Sequence, residues 1–297
     1  MESKLRVSPG GTLPIGFKDV PIGEMREIVF LNGRFLSADE AKISILDPVF
    51  LYGTGLFETM RSYNNKIVYF DQHLKRIRQS AKLTGIGLSY SDSKLKQIIK
   101  ETIRRNKFKD AYVRLTLWRA KRGVGILVLV KRYEPYSMKK YMRGFSACIS
   151  SFRQNEDSLL ARIKTTSRIL YQLSFQEAKT QGFDEAIILN NRGNITEGTR
   201  SNIFFVRDNE IFTPSLSCGC LDGITRRLIF DLAKKSKFNI SQGNFTIQDL
   251  LQAEEAFLTN SLMGVMPLTN VGRKNIGNGK CAKTTRLFLK KYNCLLK

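Results

Sequence analysis

Along the chain, apolar positions switch between a period of two and a period near 3.6, and the switches mark the elements. Ile28 to Leu36 (IVFLNGRFL) places apolar residues on both sides of Asn32-Gly33, which predicts two short strands around a tight turn. FLYGTGLFETMRSYNNKIVYF reads as strands broken by Gly53 and Gly55, with Asn64-Asn65 at a hairpin. The period then lengthens. Asp71 is placed to cap a helix that carries Leu74, Ile77 and Ala81 on one face and stops near Gly85. A second helix follows Ser91, and Ala111 to Trp118 and Gly125 to Val130 return to strand patterning.

Arg132 to Gly144, with Pro135 and several cations, reads as an exposed connection. Beyond it, Ser167 to Gly182 has helical spacing at Ile169, Leu170, Leu173 and Ala178, with a glycine stop. Short strands at Ala186 to Leu189, Ile195 to Glu197, Asn202 to Val206 and Ile211 to Thr213 are separated by Asn-Arg-Gly-Asn and Asp-Asn turns. LDGITRRLIFDLAKK then starts a helix whose first free N–H groups lie near Gly223, Ile224 and Thr225, an anion-binding terminus. The expectation is an α/β protein of the α+β type in two domains. The N-terminal domain covers 1–135 with 1–28 as an extension, 136–144 is a linker, and 145–297 is the C-terminal domain.

Composition narrows the functions. At 297 residues with 42% hydrophobic content the chain supports packed cores and excludes disorder as its main state. A single histidine, His73, argues against imidazole metal cages and most zinc hydrolase sites, so no metal is expected. His73 itself is expected to be structural or at the surface. The five cysteines (148, 218, 220, 281 and 294) are odd in number and unevenly spaced, which reads as reduced thiols in a cytoplasmic setting. The first residues lack the apolar run of a signal peptide, and GVGILVLV is far shorter than the ~20 residues a membrane helix needs. No membrane role is expected. The net charge of +23 points to acidic partners without saying anything about fold.

Three features of the second half call for one explanation: Lys164 just ahead of a helix, Glu197 on a short strand, and the glycine-opened helix at Gly223. A cofactor with an aldehyde, a basic ring nitrogen and a phosphate uses all three, and pyridoxal 5'-phosphate is such a cofactor. The segment from Arg162 to Arg226, through ITEGTRSNIFF, FTP and LDGITR, resembles the core of the class IV aminotransferases, pyridoxal-phosphate enzymes of fold type IV. That family includes branched-chain and D-amino-acid aminotransferases and 4-amino-4-deoxychorismate lyase. FLNGRF, LYGTGLFETMR, HLKRIRQSA and FLTNSLMGVMPL resemble its other parts in the same order, so the likeness runs from about Phe30 to the end.

The resemblance implies roles residue by residue. Lys164 becomes the catalytic Schiff-base lysine. Arg76, the N–H groups of Ile224 and Thr225, and the hydroxyls of Thr225 and Ser261 hold the cofactor phosphate. Glu197 sits at the pyridine nitrogen and Leu221 against a ring face. Phe57, Arg119, Arg122 and Arg200 are substrate-side candidates. A homodimer is implied as well.

The reading leads to amino-group transfer between an amino acid and a 2-oxo acid. The branched-chain label is weakened by Thr59 after Phe57-Glu58, by Ile169 where a tyrosine is usual, and by the Asn260 to Gly264 loop. The alternative is the lyase, which expels pyruvate to give 4-aminobenzoate; NSLMGVMP and Arg168-Ile169 are similar to it. A third reading, a basic nucleic-acid-binding protein, rests on thirteen cations between Arg104 and Arg143 interleaved with Tyr112, Trp118 and Tyr133. No helix-turn-helix, zinc-finger or RNA-recognition signature accompanies them, so a solvated surface is preferred.

Overall fold

Asn32 and Gly33 both adopt positive φ, 47° and 94°, as a two-residue hairpin turn requires. In the computed structural model, which describes residues 27–121 and 123–296, this turn joins β1 (Ile28–Leu31) to β2 (Arg34–Ser37). The sequence then forms α1 (Pro48–Tyr52), β3 (Gly55–Tyr63), β4 (Lys66–Ile67), α2 (Phe70–Thr84), α3 (Asp92–Arg105), β5 (Ala111–Arg119) and β6 (Val124–Arg132). The strands make one antiparallel sheet in the order β2-β1-β6-β5-β3-β4. Leu74, Ile77, Leu95 and Ile99 of the two long helices pack on Val113, Leu115 and Val128 of the strands. Each such buried aliphatic side chain contributes about 1.5–3 kcal/mol.

The second half contains α4 (Met138–Arg143), β7 (Phe145–Gln154), α5 (Ile169–Thr180), β8 (Glu185–Asn190), β9 (Ile195–Gly198), β10 (Asn202–Arg207) and β11 (Glu210–Pro214). It continues through α6 (Ile224–Lys235), β12 (Ile240–Gly243), α7 (Ile247–Leu251), β13 (Glu255–Asn260), β14 (Gly264–Val271), β15 (Lys274–Asn275) and α8 (Lys283–Leu296). These strands form a mixed nine-stranded sheet, β12-β11-β10-β13-β14-β7-β8-β9 with β15 paired to β14. β8 and most of β10 are buried along their whole length, so their apolar runs do not alternate. The five cysteines are free. Among the described residues no helix is long and apolar enough to cross a membrane.

Three local expectations change. Residues 50–52 are helical, not extended, as the end of α1: Pro48 opens the turn and Gly53, at φ 65°, closes it. Asp71 lies in the first turn of α2, and the cap position belongs to Tyr69 in a left-handed conformation. The connection at 132–144 holds α4, where Ser137 caps the helix and Tyr141 is buried. The extension expected at 1–28 falls on residues 1–26, which lie outside the described residues, and on 27–28, where β1 begins.

The feature that positions the site is a short cross-link between the two halves. Residues 164–166 run antiparallel to the start of β3, with Phe57 N–H donating to Lys164 O at 2.9 Å and Thr166 N–H to Gly55 O at 2.8 Å. Gly55 is required by closeness, since a Cβ there would lie 2.9 Å from the Thr166 side chain and 3.1 Å from Val49. Gly55→Val is expected to destabilise the protein by about 1–3 kcal/mol. It should also speed amide exchange at Phe57 and Thr166; unchanged exchange at these two amides would contradict the cross-link's importance.

Candidate active site

Lys164 is carried on this cross-link, so its side chain leaves the second half facing the first sheet. Its ammonium nitrogen lies 4.6 Å from the centre of the Phe57 ring, and Arg114 covers the same ring at 3.8 Å. Burial pushes the Lys164 pKa down to about 7, and the cations Arg168 and Arg76 push in the same direction. Glu58 and Glu197 oppose them without restoring the ordinary value. The amine is therefore largely unprotonated just above neutrality.

On one side of Lys164 lies a buried ionic cluster. Glu58, inward-facing on β3, accepts two bonds from Arg76 of α2: Nε to Oε1 at 2.7 Å and Nη2 to Oε2 at 2.6 Å. His73 Nδ1 is 2.7 Å from the same Oε2, and its Nε2 is 3.3 Å from Ser261 Oγ. Burial alone would raise the Glu58 pKa, but Arg76 and His73 hold it down to about 2. Burial pushes His73 below its ordinary value against the pull of Glu58. Truncating one partner of such a buried pair costs about 3–5 kcal/mol, because the other charge is left uncompensated.

On the other side lies Glu197, buried on β9. Its Oε1 accepts from the Tyr171 hydroxyl at 3.0 Å and its Oε2 from Leu221 N–H at 3.1 Å. Burial raises its pKa, and Arg168, Leu221 N–H, Tyr171 and Lys164 counter that rise. Arg168 stacks 3.4 Å over the Tyr171 ring and donates to Thr199 O at 2.7 Å. Tyr171 and Arg168 thus support the carboxylate from α5 and its N-terminal edge.

The stretch Leu221–Thr225 joins the two sides. Leu221 touches Glu197, Asp222 O accepts from Arg76 Nη1 at 2.9 Å, and α6 begins at Ile224 with no side chain capping its first N–H groups. Gly223 leaves room here for the Asn202 side chain, whose Oδ1 a Cβ would meet at 2.1 Å. The uncapped N–H groups and the helix dipole make this end attractive to an anion, with the Arg76 guanidinium close by.

Lys164, Arg76, Glu197, Leu221, Ile224, Thr225 and Ser261 therefore line one region, with Phe57 beside Lys164. Two substrate-side candidates have partners of their own. Arg119, at the exposed end of β5, donates to Gly85 O at 3.0 Å and closes the C-terminus of α2. Arg200 lies 3.8 Å over Phe175 on α5, and its own carbonyl accepts from Asn260. Arg122 lies outside the described residues. Sequence reasoning missed Glu58, His73, Arg114, Arg168 and Tyr171 as a set. The inward alternation of Glu58 within an apolar strand was the available signal for one of them. Of the aromatics in the basic stretch, Trp118 is 2% exposed and the Tyr133 hydroxyl donates to Leu262 O, so both serve packing.

A family model for class IV amino-transferases matches residues 55–271. The aminodeoxychorismate lyase of Bacillus subtilis is 30% identical over 278 residues, spanning 89% of this chain and 94% of the relative. The branched-chain-amino-acid aminotransferase of Pseudomonas aeruginosa is 28% identical over 281 residues, spanning 89% and 91%. Among solved structures, the branched-chain aminotransferase from the thermophilic archaeon Thermoproteus uzoniensis with norvaline matches with a TM-score of 0.83 at 28% identity, over 91% of this chain and 94% of that one. A T.th. branched-chain amino acid aminotransferase with pyridoxamine 5'-phosphate matches with a TM-score of 0.86 at 26% identity, over 91% and 93%. Sequence and architecture agree along nearly the whole described chain, and the protein belongs to the class IV aminotransferase family, with the mixed helix-and-sheet fold of its fold-type-IV members.

Proposed function

We propose that the protein is a pyridoxal 5'-phosphate-dependent enzyme that moves an amino group between an amino acid and a 2-oxo acid. The observation that carries this reading is Lys164, an amine held near pKa 7 between a buried carboxylate and an arginine-lined helix terminus. The residues present fit the cofactor. Arg76, the N–H groups of Ile224 and Thr225, and the Thr225 and Ser261 hydroxyls suit its phosphate, while Glu197 suits its ring nitrogen and Leu221 a ring face. When bound, the cofactor supplies an electron sink for charge developing at the substrate's α-carbon.

The chain's own groups do the rest. Lys164 takes the α-proton and returns it, a role that needs a base poised near the working pH. Glu197 keeps lone pairs beyond those used by Tyr171 and Leu221 N–H, and as an anion it favours a protonated ring nitrogen. The Phe57 ring, with Arg114 across it, forms an apolar and cationic wall suited to a carboxylate substrate.

A second reading is pyruvate elimination from aminodeoxychorismate, supported by the Bacillus subtilis relative. Arg168-Ile169, which is similar to the lyases where branched-chain enzymes carry a tyrosine, supports it too. Both readings use Lys164 and Glu197 alike. We further assign domains 1–135 and 145–297 joined by 136–144, a cytoplasmic setting, and a homodimer. The dimer is supported by exposed apolar side chains at Ile45, Leu46, Phe50, Leu51, Tyr52 and Ile169.

Borohydride reduction of the pyridoxal-phosphate-loaded protein should fix a pyridoxyl group to the peptide carrying Lys164, and Lys164→Ala should take up none. Label on a different lysine would contradict the assignment. A panel of L- and D-amino acids with 2-oxoglutarate, run beside aminodeoxychorismate, should give amino transfer. Pyruvate release from the last substrate alone would select the lyase. Sedimentation of the full chain should give twice the monomer mass; a monomer would refute the dimer.

A further inference from the structure

His73 is the chain's only histidine and is 1% exposed. It stands between Glu58, 2.7 Å from Nδ1, and Ser261, 3.3 Å from Nε2. This order of carboxylate, imidazole and hydroxyl fixes the direction of each proton. Glu58 is ionised and can only accept, so Nδ1 carries a hydrogen. In the neutral ring Nε2 is then an acceptor, and Ser261 must donate its hydroxyl hydrogen to it. Ser261 then offers only lone pairs to any further partner.

A phosphate group also offers only acceptors, so this arrangement opposes it. Charge points the same way. Arg76 is already neutralised through its two bonds to Glu58, while a phosphate monoester brings a charge near −2. We propose that His73 takes up a proton from solvent when the phosphate of the ligand binds beside Arg76 and the N-terminus of α6, and that Ser261 reverses to accept from Nε2–H and donate to the phosphate. The inference rests on the cofactor reading above and assigns Glu58 and His73 as positioning residues within it.

Groups of both signs face the imidazole. Glu58 from β3 favours the imidazolium; Arg76 from α2 and Lys164 from the loop before α5 oppose it, and Ser261 lies in the turn between β13 and β14. Burial adds to the opposition, so the free protein keeps His73 neutral at neutral pH. An arriving anion shifts that balance by adding negative charge next to Arg76, one of the opposing cations.

A sole histidine gives one imidazole to observe. The untagged full-length protein, labelled with ¹⁵N-histidine and held near neutral pH, is titrated with pyridoxamine 5'-phosphate, which lacks the aldehyde and does not react with Lys164. The free protein should show a protonated Nδ1 and an unprotonated Nε2, and the saturated protein both nitrogens protonated. Sulfate, a dianion across this range, gives the second readout, measured in Lys164→Ala so that the other titrating amine is absent. Its affinity should fall roughly tenfold per pH unit above the free His73 pKa, and less than about twofold when His73→Gln is added. Saturation with Nε2 still unprotonated, or an equal pH slope with His73→Gln, would overturn the relay and leave the cofactor reading intact. Failure of pyridoxamine 5'-phosphate to bind would overturn both.

Discussion

The site depends on a two-bond antiparallel bridge between residues 164–166 and the start of β3. Without it, Lys164 is a lysine on a connection between β7 and α5, free to reach water. With it, the side chain is held over Phe57 and within the field of Arg168, Arg76, Glu58 and Glu197. The bridge costs the sequence its side chain at Gly55, and Gly53 completes the bend that brings β3 into range.

Electrostatics then assigns unlike tasks to two buried carboxylates. Glu58 has Arg76 in bidentate contact and stays ionised far below neutrality, so it organises its neighbours and takes no part in proton transfer at ordinary pH. Glu197 is held more weakly; its two oxygens receive a phenol and an amide hydrogen, and burial lifts its pKa. A carboxylate with weaker compensation responds more readily to an arriving cation than one already paired. The segment Leu221–Thr225 sets the spacing between these two environments, since it contacts Glu197 at one end and Arg76 at Asp222.

Local patterns in the sequence were legible where local physics decides them. The apolar face of α2 and its stop at Gly85, the Ser91 cap of α3, and the open N-terminus of α6 all follow from spacing and capping. Lys164, Glu197 and the residues assigned to a phosphate come from family likeness, because helical or strand period does not mark an amine for burial. Glu58 and His73 escaped because the cluster forms only when α2 packs on β3, a tertiary contact that no local pattern announces. Arg119, a substrate-side candidate, follows the buried Trp118 and donates to Gly85 O at the end of α2. The +23 charge mostly serves neither end of the site, as the exposed Arg104 and Arg105 around Glu101 illustrate.

The fold makes Lys164 a neutral amine near physiological pH. Competitive labelling of the cofactor-free protein with an amine-selective reagent, read peptide by peptide across a pH series, measures it directly. Lys164 should gain reactivity with a midpoint near 7, where burial and the neighbouring cations place it. A midpoint near the ordinary lysine value of 10.5 would contradict the account.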